Sequence, residues 1–100
     1  MSDESLARVV LNASVPDQAR VSAVEMLSRA SSPRALDALL AVAQDPQAPT
    51  TVARAAGAGV ARILLSRDAV KTAPLTEFTP DAYLAFDETV GRAWNTTPKD

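Results

Sequence analysis

Ala19-Arg20-Val21-Ser22-Ala23-Val24-Glu25-Met26-Leu27 returns as Ala53-Arg54-Ala55-Ala56-Gly57-Ala58-Gly59-Val60-Ala61, and this pair of segments decides the fold. The two arginines stand 34 positions apart. A period of about 20–50 residues marks supersecondary units stacked side by side, because one unit cannot bury its apolar face alone. The second segment holds five alanines in nine residues and the first two, alanine being the best helix former, and no stretch of the chain alternates for long enough to suggest a sheet. The chain reads as all-α, a short α–α superhelix of about five helices.

Composition bounds the rest. One hundred residues make a single domain, able to bury one continuous core with little margin. The apolar fraction is 47 %, much of it alanine, and only four residues are aromatic, which suits thin, closely approaching helical layers. There is no cysteine, so no disulfide staples the domain. Met1-Ser2-Asp3-Glu4 is acidic where a secretory leader needs positive charge, and the apolar runs fall short of a membrane span. A cytoplasmic protein without a membrane partner is expected. The net charge of −2 argues against an overall electrostatic grip on nucleic acid. The charge is unevenly spread: residues 5–71 carry eight basic and five acidic side chains, residues 72–100 two basic and five acidic.

Outward from the repeated segments, the first helix is predicted from Asp3 to Asn12, with Leu6, Val9 and Val10 at helical spacing. Asp17 is placed to cap a second helix over 17–30, with Val21, Val24 and Leu27 on one face. Ser31-Ser32-Pro33 opens a third helix, which buries Leu36, Leu39, Leu40 and Ala43 and ends near Asp45-Pro46. After a stiff, proline-containing loop, a fourth helix starts near Thr50 and reaches at least Leu65. An extension to Lys71 is open, since Ser66-Arg67-Asp68 holds no obligate breaker. Its stripe is Val52, Ala55, Ala56, Gly59, Val60 and Ile63. Residues 1–71 thus form helical hairpins and 72–78 a linker. Thr79-Pro80 repeats the start signal and opens a C-terminal aromatic helix within 79–95, with Tyr83, Phe86, Val90, Ala93 and Trp94 on its apolar face. Residues 96–100 are a frayed tail.

Residues 17–65 resemble the HEAT-repeat family, two-helix units that stack into curved solenoids. Pro33, Ala35, Leu36, Leu39, Leu40 and Asp45 match the family's first helix and turn. Val52, Arg54, Val60, Ile63 and Leu64 approximate its second helix. Residues 5–30 resemble a preceding unit through Asp17, Arg20, Ala23 and Leu27. The pattern departs where Ala53 separates valine from arginine, at Gly57 and Gly59, and throughout the last helix. The resemblance implies a structural ladder in which the second-helix arginine pairs with a turn aspartate: Arg20 with Asp17 or Asp45, and Arg54 with Asp45. It also implies a surface that holds another molecule.

Other candidates follow from the residues. Gly57 and Gly59, with Ala53 and Ala61, form a small-residue ridge that lets a neighbouring helix approach closely. Tyr83, Phe86 and Trp94 have two readings: a bulky cap over the end of the repeat stack, or a docking surface, because Tyr and Trp dominate interface hot spots. Arg29, Arg34, Arg62 and Arg67 lie near helix ends as a basic rim.

Without histidine or cysteine the chain lacks the usual general base, thiol nucleophile and soft metal ligands, and Gly57-Ala58-Gly59 is no phosphate loop. No enzyme and no cofactor is expected. The leading expectation is a protein-interaction module, an adaptor or a subunit of a larger complex, whose partner is another protein, a second copy of the chain included. The alternative is a small immunity- or antitoxin-type inhibitor using Glu77, Asp81, Asp87 and Glu88 as its contact set. The third is a nucleic-acid-binding helical repeat using the basic rim.

Overall fold

The computed structural model describes residues 2–30 and 32–95, with side chains through residue 93. Ser31, the side chain of Trp94 and the tail at 96–100 therefore lie outside the described residues. The elements are α1 (Asp3–Leu11), α2 (Asp17–Ala30), α3 (Pro33–Ala43), α4 (Thr50–Ser66) and α5 (Pro80–Asn95). Two short 3-10 turns, Val70–Thr72 and Leu75–Glu77, lie between α4 and α5, so the connection begins after Ser66 and not at the expected residue 72. The protein is all-α, and the described residues contain no strand.

Local chemistry explains the helix starts. Ser2, Ser32 and Thr79 precede α1, α3 and α5, and each hydroxyl oxygen accepts a first-turn amide: Ser5 N at 3.2 Å, Ala35 N at 3.1 Å and Ala82 N at 3.4 Å. Pro33 and Pro80 fill the first helical position, where a missing N–H loses nothing. Asp17 does not cap α2. It is the first helical residue, and the opening backbone bond runs from Arg20 N to Pro16 O, so its carboxylate acts only as an acidic group in the first turn.

The open question at the end of α4 is decided by Asp68. Its φ of 53° is left-handed. Ala69 N then donates to Leu64 O at 2.8 Å, and Asp68 N to Leu65 O at 3.2 Å. This pair of bonds is a Schellman motif, which satisfies the last carbonyls and turns the chain out of the helix. Helix α4 therefore ends at Ser66 and does not reach Lys71, because aspartate is among the few residues that enter this conformation without glycine.

Two hairpins, α1/α2 and α3/α4, lie side by side. The first helices α1 and α3 pack together, and so do the second helices α2 and α4. The buried residues of α2 (Arg20, Ala23, Val24, Leu27 and Ser28) reappear 33 positions later as Ala53, Ala56, Gly57, Val60 and Ala61, all buried. Leu6, Ala7 and Val10 of α1 reappear 32 positions later as Ala38, Leu39 and Val42. The structural offset of the second helices is thus 33, not the 34 suggested by the two arginines; at this offset Val24, which faces α4, falls on Gly57, which faces α5. Arg20 is the counterpart of Ala53, and the exposed Arg54 that of Val21.

The fifth helix lies along α4 and covers its outer side. As a result α4 is buried around nearly its whole circumference, from Val52 to Leu64. Gly57 and Gly59 make this sandwich possible. A Cβ on Gly57 would overlap the Ala82 carbonyl of α5, and one on Gly59 would meet Leu39 Cδ1 at 2.9 Å and Val24 Cγ1 at 3.4 Å. Two residues are about 200° apart on a helix, so the glycines admit α5 on one side and the α2/α3 pair on the other.

Candidate functional site

The expected ladder is not formed among the described residues. Arg20 is only 4 % exposed, and its Nε donates to Val10 O at 3.0 Å. Val10 lies in the last turn of α1, where carbonyls lack helical partners and the helix end is negative. The buried guanidinium thus closes the end of the neighbouring helix in place of pairing with Asp17 or Asp45. Asp17 is exposed, and Asp45 Oδ1 accepts from Gln47 N at 2.9 Å, folding its own turn. Arg54 reaches across to α5, with Nη2 3.8 Å from Glu88 Oε1, while Arg92 stands 3.5 Å from the other Glu88 oxygen. Another exposed bridge joins the hairpins, from Arg34 Nε to Glu4 Oε2 at 3.3 Å.

The expected stripe on α5 divides. Phe86 is buried and meets Phe78 edge to face, with ring centroids 5.7 Å apart. With Ala82, Ala85 and Val90 it forms the side that faces α4. Tyr83 is 43 % exposed and instead shares the outer side with Leu84, which is 54 % exposed. The physical reason is the small residues: Ala82 and Ala85 permit close approach to α4, which rotates the buried side away from Tyr83. Trp94, as a side chain, lies outside the described residues. Among the acidic candidates, Glu77 and Asp87 are exposed, Asp81 is half-buried, and Glu88 is held by the two arginines.

Leu84 and Met26 were missed by helical periodicity, because each falls off the main apolar stripe of its own helix. Met26 is half exposed. It borders an apolar groove of about 400 Å³ between α1 and α2, lined also by Leu6, Val9, Ala19, Ser22 and Ala23. No described helix is long and apolar enough to cross a membrane. No protein family, curated protein or solved structure matches the chain.

Proposed function

We propose that the protein is a non-catalytic protein-interaction module, an adaptor or a subunit of a larger assembly, that engages its partner through the outer side of α5. The observation that carries this reading is the adjacent exposure of Tyr83 and Leu84 on a helix clamped to α4 at Gly57 and Ala82. An amphipathic pair on a rigid element loses little freedom on binding, and tyrosine is a favoured interface anchor. Asp81 and Asp87 flank the pair and would orient a cationic rim. The stacked hairpins and the resemblance to HEAT units support the same class of function, as does the absence of histidine and cysteine from the chain. The inhibitor reading is weakened where it needs Glu88, whose carboxylate is already engaged by Arg54 and Arg92.

The test is affinity capture from the native cell with the wild-type chain and with Tyr83→Ala/Leu84→Lys, helical content being checked by circular dichroism. A partner captured by the first and lost by the second is expected. Equal capture by a folded double variant rejects the reading.

A further inference from the structure

The second helices and α5 form a row, α2, α4, α5, because the two glycines of α4 open onto opposite sides. Val24 of α2 faces α4, and Met26 is two residues further on, about 200° round the helix. Ala82 of α5 faces α4, and Leu84 is likewise two residues further on. The exposed apolar residues Met26 and Leu84 therefore look outward from opposite ends of the row.

The Met26 end is a surface type that already receives a helix in this molecule. At the offset of 33, Ala19, Ser22, Ala23 and Met26 correspond to Val52, Ala55, Ala56 and Gly59. Gly59 is the point where α4 takes Val24 and Ser28 of α2. The first hairpin thus exposes what the second hairpin covers. One difference sets the size of the occupant: Met26 replaces Gly59, so an incoming helix must stand further off. Large side chains, not valine and serine, are needed to fill the gap. Tyr83 and Leu84 meet that requirement and lie at the opposite end of the same chain.

Charge points the same way. Asp81 and Asp87 flank the α5 surface, while Arg8 adjoins Val9 and Arg29 stands one turn beyond Met26; the carboxylates on that margin are Glu25 and Glu4, the latter bridged by Arg8 at 4.0 Å and Arg34 at 3.3 Å, so three arginines stand against two carboxylates. The acidic balance of residues 72–100 would then meet the slight basic excess of residues 1–71, eight basic against seven acidic side chains, between molecules.

We infer that a second copy of the chain docks head to tail, Tyr83 and Leu84 of one copy seating in the α1/α2 groove of the next. The inference rests on the outer side of α5 being a docking surface, as proposed above, and names its partner. Such a contact is heterologous and leaves one free surface at each end, so it propagates as an open chain of molecules.

The experiment is sedimentation of the full chain over about 1 μM to 1 mM, the range where a weak contact saturates. It is run on wild type, on Met26→Lys and on Leu84→Lys, with fold checked by circular dichroism. Wild type is expected to grow in mass beyond a dimer, and each variant alone to stay monomeric. An equimolar mixture of the two variants should form a dimer and stop, since it retains one intact groove and one intact α5 surface. A monomeric wild type, a variant that still associates, or a mixture that stays monomeric overturns the inference. If wild type is monomeric but Leu84→Lys still loses a captured partner, only self-docking falls. If Leu84→Lys changes neither, the α5 reading falls with it.

Discussion

Gly57 and Ala82 are in backbone-to-backbone contact: a methyl group placed on Gly57 would overlap the Ala82 carbonyl oxygen and lie 2.8 Å from its carbon. Nothing but the absence of a side chain lets α5 lie this close to α4. The clamp makes the outer side of α5 a fixed platform, so presentation of Tyr83 and Leu84 depends on a residue on the other helix.

The three glycines should separate by what surrounds them. Gly57→Ala meets backbone that cannot yield, and overpacking of this kind costs about 1–3 kcal/mol. Gly59→Ala meets the mobile end of Leu39 first, so its loss should be smaller. Gly91 has nothing within 4 Å, and there alanine should raise stability by about 0.5–1 kcal/mol through helix propensity alone. Urea denaturation of the three variants tests the order, and a Gly57→Ala protein as stable as wild type would refute the clamp.

Arg20 and Arg54 occupy similar places in the repeated segments but should differ in worth. Removing Arg20 leaves the Val10 carbonyl without its buried donor, a loss of about 1–3 kcal/mol. Removing Arg54 breaks an exposed bridge, worth at most about 1 kcal/mol. Alanine substitution at each, followed by denaturation at low and high salt, should show a large salt-insensitive loss for Arg20 and a small screened one for Arg54.

Phe86 and Tyr83 should behave as members of different surfaces. Phe86→Ala opens a cavity beside Phe78, and such truncations cost about 3–5 kcal/mol. Tyr83→Ala should change stability by less than about 0.5 kcal/mol, as surface substitutions do. Thermal unfolding of both distinguishes the divided arrangement from a single aromatic stripe, which would make the two losses comparable.

Asp68 holds a left-handed conformation at the end of α4. Asp68→Gly should be neutral or stabilising by up to about 1 kcal/mol, since glycine is the favoured residue after a helix C-cap. Asp68→Val should destabilise by about 1–2 kcal/mol, the cost of a side chain in that conformation. A valine variant of unchanged stability would show that the helix can continue past Ser66.

Helix type and position were legible in the sequence because they depend on neighbours in the chain: hydroxyl residues before proline, alanine-rich runs, and apolar residues three and four apart. These placed five helices within a few residues and marked Gly57 and Gly59 as points of close approach. Register between units was not legible. The repeated Ala-Arg pair suggests an offset of 34, yet the buried residues recur at 32 between the first helices and at 33 between the second, the loop before α4 being one residue longer than that before α2. That single step turns Arg54 to solvent while Arg20 is buried. The rotation of α5 was hidden for the same reason, since periodicity alone does not say which residues of an apolar, alanine-containing helix turn inward. Local propensity and capping therefore determined the elements. Only tertiary packing decided the rest: α2 against α1 set which arginine closes a helix, and α4 between two neighbours set which aromatic residue enters the core and which side chains remain at the two ends of the stack.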